Sequence, residues 1–451
     1  MNKNLVIGRY LFSNKDLYKL FYPLIIEQFL EYLVGLADSI MVAHVGEAAV
    51  SGVSLVDFVI ALLISLFTAL STGGAVIAGQ YIGSKKPEEA REAVNQLVWF
   101  AGALSVAIML IVYLAEPLIL DGLFGQITDE VRREANIYLM ITTVSIPFLA
   151  LYNAGAAIFR TMGNAKLPMQ VMLLMNIAHA IGNGILIYGF HFGTEGVAIP
   201  TLLSRIAAAV IIITLVLNKK QTLYINRNIR HKFNWPMIKR ILSIGVPYGL
   251  ENGLFYLGRI IVLSIVAAFG TASIAANAVS GTIVMFQVLP GMAIGLGLTV
   301  VIARCVGAGD YEQARYYTKK VMGFVYVAHL VSCALVLASL PAILNVYGLS
   351  EEATLMTIKN VWWHGAFMVA IWPLAYTLPV TFRAAGDAKF PMLIGIMSMF
   401  FCRIALAYWL SIYCNMGMFG TWVAMFIDWI VKAAIFVWRY FGGRWTAYHT
   451  I

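Results

Sequence analysis

Phe159-Arg-Thr-Met-Gly-Asn-Ala-Lys-Leu-Pro-Met169 returns 223 residues later as Phe382-Arg-Ala-Ala-Gly-Asp-Ala-Lys-Phe-Pro-Met392. The stretches around it keep nearly the same register. Pro23-Leu-Ile-Ile-Glu27 meets Pro247-Tyr-Gly-Leu-Glu251, and Glu88-Glu-Ala-Arg91 meets Glu312-Gln-Ala-Arg315, each at an offset of 224. Gly46, Gly83 and Gly196 meet Gly270, Gly307 and Gly420 at the same offset. Chance does not hold such a register along half a chain, so the sequence is an internal duplication.

Between these motifs lie long apolar windows. Of 451 residues, 61% are apolar and 12% charged, whereas a soluble domain has about 45–50% apolar and about 25% charged residues. A water-soluble enzyme and a disordered chain are both excluded. About 20 apolar residues span the roughly 30 Å hydrocarbon core as a helix. Windows of that kind fall at 17–43, 48–80, 93–116, 134–159, 168–190, 195–217, 241–268, 272–304, 319–346, 355–382, 390–413 and 419–440. The fold class read from them is an all-α polytopic membrane protein with twelve transmembrane helices in two pseudo-symmetric six-helix bundles. The first apolar segment, from near Leu17 past Ile40, is too long for a signal-peptide core and is expected to be retained. The expected organisation is a lobe over 1–217, a basic linker over 218–240 and a second lobe over 241–451.

Charge orients the chain. Odd-to-even connections hold or adjoin only Arg132, Arg133 and Lys359. Even-to-odd connections are rich in bases, among them Lys85, Lys86, Arg91, Arg160, Lys166, Lys219, Lys220, Arg227, Arg230 and Lys389. Basic loops favour the cytoplasmic side, which places both termini there. The net charge of +9 is therefore read as loops facing anionic membrane lipid, and no nucleic-acid partner is expected. Cys305, Cys333, Cys402 and Cys414 form no C-x-x-C and are expected to be buried small hydrophobes. No H-E-x-x-H, no partnered G-x-S-x-G and no nucleotide-binding loop is visible, so neither an enzyme, a metal site, a cofactor nor ATP drive is expected. An even number of spans per repeat gives both copies one orientation. Parallel repeats of this kind build secondary transporters with the substrate site at the repeat interface.

The first span carries Glu27, Glu31 and Asp38. At about 100° per residue they fall within roughly 40° of one another, a stripe roughly 16 Å long. Lipid does not tolerate such a stripe, so it is expected to face the interior of the first bundle. The repeat keeps Glu251 for Glu27, but Phe255 and Val262 stand for Glu31 and Asp38. Ion coupling is therefore expected in the first half, through Asp38, Glu27 and Glu31. Buried, closely spaced acids hold a proton more readily than exposed ones. Glu27 and Glu31 also fit a structural role, hydrogen-bonding the backbone in the bundle core. Asp57 in the second span pairs a cation, lines the cavity or is simply hydrated near the extracellular half of its helix. Asp428 and Lys432, four residues apart on the last span, read as a structural ion pair.

The chain resembles the multidrug and toxic compound extrusion (MATE) family. The likeness lies in Leu36-Ala-Asp-Ser-Ile-Met-Val-Ala-His-Val-Gly46 after a first-span proline, in the loop Gly83 to Arg91, and in the F-R-x-x-G-[ND]-A-K-x-P-M strings after spans four and ten. The resemblance covers the whole chain. It implies a secondary active antiporter that exports organic, cationic or amphipathic compounds in exchange for protons or sodium ions, in the inner (plasma) membrane. A lipid or glycolipid flippase of the same superfamily is the alternative. It further implies a first-half ion site made from a first-span acid, fifth-span amides or acids and a sixth-span threonine, which Asp38, Asn183 and Thr201 match. His179 stands where an asparagine is common, and Asn183 where some members have an acid. Both departures weaken a sodium site, which wants hard oxygen ligands. A histidine titrates near neutrality, so protons are favoured over sodium. A histidine merely packed between helices is the other reading of His179.

Glu251 is the second-half acid expected to meet substrate. Asn153, Asn176, Met285, Phe286 and Gln287 lie near mid-membrane and are the remaining candidates for a polarizable, adaptable lining. The expected assembly is a monomer acting on a small organic molecule, with Pro23 and the Gly35 neighbourhood permitting the first span to bend.

Overall fold

The computed structural model describes residues 11–123, 127–226, 232–448 and 451. Arg227 and Arg230 of the basic connection lie outside these residues. Every regular element among the described residues is helical.

The chain divides into two compact units, Asn14–Gly245 and Val246–Ile451, the second including residues 11–13. The first lobe holds α1 (Asn14–Ala43), α2 (Glu47–Gly83), α3 (Pro87–Leu114), α4 (Asp129–Thr143), α5 (Ile146–Thr161), α6 (Lys166–Gly189) and α7 (Glu195–Val216). Next comes α8 (Trp235–Ala267), within which the division falls. The second lobe continues with α9 (Thr271–Gly307), α10 (Tyr311–Tyr347), α11 (Glu351–Ala370), α12 (Pro373–Ala385), α13 (Lys389–Tyr413) and α14 (Met418–Phe441).

Ten of these helices are long and apolar enough to cross a bilayer. Two bent pairs, α4–α5 at 50° and α11–α12 at 58°, bring the spans to 12. The chain is a multi-pass membrane protein, with each span overlapping a window expected from the sequence and several helices, such as Tyr311–Tyr347, starting a turn or two earlier. Those windows draw each bent pair as one straight span. Proline explains both breaks: Pro147 opens α5 and Pro373 opens α12. Its ring lacks an N–H and clashes with the preceding turn.

In the first lobe α2 packs on α3, α4 and α5, α1 lies against α6, and α7 joins α4, α5 and α6. Small residues let these helices approach. A Cβ on Gly52 of α2 would sit 2.6 Å from the Ala135 backbone nitrogen of α4, and one on Gly182 of α6 would sit 2.9 Å from Pro200 of α7. Close small-residue contacts of this kind hold helices together where lipid offers no hydrophobic drive. In the second lobe α9 is the central helix, packed on α10, α11 and α12, over a core that includes Trp372, Trp422 and Trp429.

The repeated glycines have a backbone reason. Gly163 and Gly386 hold φ of +87° and +102°. Each ends a helix with the same pair of hydrogen bonds: Gly163 N to Arg160 O and Asn164 N to Phe159 O at 2.8 and 2.9 Å, and Gly386 N to Arg383 O and Asp387 N to Phe382 O at 3.0 and 2.9 Å. A left-handed residue closing a helix is the role glycine fills best. These turns set the direction of Arg160 and Arg383.

The cysteines correct one expectation. All four are free, and Cys305 and Cys333 are buried, but Cys402 is half-buried and Cys414 is exposed. Cys414 follows the last turn of α13, in the connection to α14 rather than in the packed part of the helix.

Candidate functional site

Asp38 lies in the last turns of α1, opposite α6. His179 and Asn183 stand one turn apart on α6, and Thr201 sits near the start of α7. These four converge. Asn183 Nδ2 donates to Asp38 Oδ1 at 2.8 Å, and His179 Nδ1 is 3.7 Å from Asp38 Oδ2. His179 Nε2 meets Thr201 Oγ1 at 2.9 Å. The Thr201 hydroxyl donates to Val197 O at 2.8 Å. A hydroxyl has one proton to give, so Thr201 accepts from His179 Nε2–H. Nδ1 of the neutral ring then turns its lone pair toward Asp38. A proton on either partner makes that contact attractive; with none, lone pair faces carboxylate. His179, Asn183 and Thr201 are buried, while Asp38 is half-buried.

Two more charged side chains frame this group. Asp57 of α2 accepts a hydrogen bond from Tyr138 of α4 at 3.0 Å. Arg205, one turn beyond Thr201 on α7, donates to Ser145 Oγ at 2.8 Å. Asp38, Asp57, Tyr138 and His179 all lie within its electrostatic reach.

The three first-span acids do not form one buried ladder. Glu27 is 1% exposed and ion-paired with Arg160, Oε1 to Nη2 at 2.5 Å. Glu31 is exposed and accepts from Gln28 Nε2 at 3.3 Å. Glu31 stays within electrostatic reach of Glu27 and Arg160, but its carboxylate is not buried with them. Asp38 belongs to the α6–α7 group alone. The structure thus separates a Glu27–Arg160 pair from the Asp38 cluster.

In the second lobe Glu251 repeats the pairing, with Arg383 Nη1 donating to Oε2 at 3.1 Å and the guanidinium stacked over Tyr248 at 4.5 Å. Nothing among the described residues there repeats the Asp38 cluster. Phe255 lies under Arg403 at 5.2 Å, and Trp372 lies tilted against His329 with ring centroids 5.0 Å apart. Gln287 is fully buried, its Oε1 2.6 Å from His364 Nδ1. Phe286 packs against the second-lobe core and Met285 is half-buried. In the first lobe, Asn153 donates to Leu149 O at 3.0 Å, and Asn176 is buried with Nδ2 unpaired. Of the six substrate candidates, Asn153 and Asn176 belong to one lobe, and Glu251, Met285, Phe286 and Gln287 to the other.

The MatE family model matches twice, over residues 23–185 and 247–409. The chain belongs to the MatE family. The two matches begin and end 224 residues apart, the offset of the repeat. As a MatE chain it is similar along its length to the "Uncharacterized transporter YisQ" of Bacillus subtilis, with 26% identity over 95% of this chain and 94% of the relative. It is also similar to a Thermotoga maritima protein named "Probable multidrug resistance protein NorM", at 25% identity over 96% and 93%. A solved MATE in complex with MaL6 shares the fold, with a TM-score of 0.88, 21% identity and 98% of each chain covered. The chain is thus a member of a transporter family, with the MatE architecture in both halves.

Within that architecture, Ser145, Tyr138 and Arg205 were not singled out as site residues by the sequence. Ser145 sits at the bend between α4 and α5, so its place depends on the break at Pro147. An arginine in mid-span was the available signal, because a charge there demands partners. His329 and His364, both buried in the second lobe, were likewise not singled out.

Proposed function

We propose that this MatE chain is a proton-coupled secondary exporter of small organic compounds, cationic or amphipathic, acting as a monomer in the plasma membrane with both termini in the cytoplasm. It is a carrier and not an enzyme. The observation that carries the coupling reading is the Asp38–His179–Thr201 chain. Thr201 fixes the imidazole so that Nδ1 faces Asp38 Oδ2 across 3.7 Å, a gap one proton converts from repulsive to attractive. Asn183 orients the other carboxylate oxygen. Multidrug efflux is supported by relatives named as probable multidrug resistance proteins, and orientation by the basic even-to-odd loops.

In the proposed cycle the site is ionised when substrate loads from the cytoplasm. Proton arrival from outside closes the Asp38–His179 gap, draws α1 toward α6 and weakens the substrate-holding state. One charge crossing 100 mV supplies about 2.3 kcal/mol, which sustains a gradient of about 50-fold.

The test is reconstitution in liposomes with independently imposed proton and sodium gradients, using a fluorescent organic cation as reporter. A proton gradient should drive transport, and Asp38→Asn should abolish the drive. His179→Asn, which supplies an amide oxygen, should shift the drive toward sodium. Transport indifferent to both gradients, or unchanged in Asp38→Asn, would overturn the reading.

A further inference from the structure

Arg205 differs from the other arginines whose ion pairs anchor this fold. Arg160, Arg383, Arg403 and Arg439 each have a carboxylate oxygen within 4.0 Å: Glu27, Glu251, Asp428 and Asp387. Arg205 has none among the described residues. Its hydrogen bond goes to a neutral hydroxyl, Ser145 Oγ. Ser145 is fully buried and spends its own proton on Thr142 O at 2.6 Å, so it presents only lone pairs to the guanidinium. A mid-span arginine is expensive in a membrane and is normally neutralised by a partner. Here the negative charge within its field is that of Asp38 and Asp57, with Glu31 further off and held more strongly by Arg160 in the Glu27 group.

We propose that Arg205 is a built-in counter-cation of the first-lobe coupling site, cancelling one of the two carboxylate charges so that the site exchanges a single proton per cycle and admits no sodium ion. The inference rests on the proton-coupling reading above and adds stoichiometry and ion selectivity to it. With both acids ionised and His179 neutral, Asp38, Asp57 and Arg205 sum to one negative charge. One proton brings the site to neutrality. Without Arg205 the same site carries two negative charges and calls for two protons, or a metal cation beside one.

The groups facing Arg205 come from every element packed around it. Asp38 comes from α1, Asp57 from α2, Tyr138 from α4 and His179 from α6, while Glu31 of α1 reaches Arg205 only after the nearer Arg160 and is counted with the Glu27–Arg160 pair. Glu134 of α4 is already bonded by the Thr194 hydroxyl. The titratable groups of α5, Tyr152 and Arg160, serve Glu27 instead. No second cation shares the site among these groups. A fixed guanidinium also repels a sodium ion, whereas a proton can be shared between Asp38 and His179 without approaching it.

The experiment uses the full chain in liposomes, measuring the proton-to-substrate ratio from the gradient at which net flux of the fluorescent cation stops, together with its pH profile and sodium dependence. Wild type and Arg205→Lys should both give one proton. Arg205→Gln should either raise the ratio to two ions or become sodium-stimulated, with its pH midpoint moved upward by about one unit. Loss of transport in Arg205→Gln, restored in Asp57→Asn/Arg205→Gln, supports the same conclusion, because the double variant recovers a net charge of minus one. Arg205→Gln with wild-type ratio, pH profile and sodium indifference would overturn the proposal. So would a double variant that stays folded yet as inactive as Arg205→Gln. A wild-type protein driven by neither gradient would instead overturn the coupling reading itself.

Discussion

Glu27 and Arg160, 133 residues apart in sequence, are joined at 2.5 Å in the first lobe, and Glu251 and Arg383 repeat the bond at 3.1 Å across 132 residues in the second. Each pair ties the proline-bearing first helix of a repeat to the last turn of its broken helix. The two repeated strings that stand out in the sequence, P-x-x-x-E and F-R-x-x-G, are thus two halves of one contact.

Arg160→Ala leaves the Glu27 carboxylate, 1% exposed, without its cation. Removing one partner of a buried pair costs about 3–5 kcal/mol. A large drop in the thermal unfolding midpoint in detergent is expected, partly recovered in Glu27→Gln/Arg160→Gln. Arg383→Ala should cost less, because the Glu251 side chain is 21% exposed and its pair is longer. Equal losses at the two sites would show that the pairs are not graded by burial.

Gly163→Ala tests the turn that aims Arg160. Gly163 holds φ of +87°, and a methyl group added there would meet nothing within 4 Å, so the cost is conformational and not steric. A left-handed conformation costs an ordinary residue about 1–2 kcal/mol. The thermal midpoint should fall by a correspondingly modest amount, and Gly163→Asn, which tolerates that region better, should fall less. An unchanged midpoint in Gly163→Ala would mean that the turn relaxes freely.

The spans were readable because a bilayer imposes length and apolarity on every crossing helix, and the duplication because both copies kept their turn glycines and motif order. Asp38, Asn183 and Thr201 were found together because residues about one turn apart share a helix face and the family likeness linked the helices. Partners across helices were another matter. Glu27 was assigned to ion coupling and Arg160 to a basic loop, since periodicity along one helix carries no information about its neighbour. The signal was there: both residues recur in both repeats, and paired recurrence is what a contact would leave. Arg205 was not placed in the site, because its acceptor Ser145 lies at a bend that a hydropathy window averages away.

Asp387 stands where the first repeat has Asn164, in the turn between α12 and α13. Burial raises its carboxyl above the ordinary 3.8, against the pull of Arg439, whose guanidinium bonds it at 2.8 and 3.0 Å. The folded chain therefore holds this proton more tightly than the unfolded chain. The group's contribution is fully present below the unfolded value and is lost as pH climbs through the raised folded value. The difference in thermal midpoint between wild type and Asp387→Asn should accordingly favour wild type most in acid and shrink as pH rises through that window. A difference that grows with pH would reverse the assignment.

Asp428 is fully buried and serves two cations through one oxygen: Lys432 Nζ at 3.1 Å and Arg403 Nη1 at 3.8 Å bear on Oδ2, while Oδ1 has no partner. Lys432 also lies over the Tyr376 ring at 5.0 Å. The two single substitutions are therefore unequal. Asp428→Asn strands both cations in the second lobe and should cost the upper part of the about 3–5 kcal/mol range for a broken buried pair. Lys432→Met leaves Asp428 with Arg403 and fills the space with a flexible apolar chain, so its cost should be smaller. Asp428→Asn/Lys432→Met removes one charge of each sign and should recover stability relative to Asp428→Asn, as replacing both members of a buried pair often does. Because this triad lies in the lobe that lacks the Asp38 cluster, Lys432→Met should keep the wild-type proton dependence of transport in liposomes. A Lys432→Met protein that is as stable as wild type but has lost that dependence would move coupling into the second lobe.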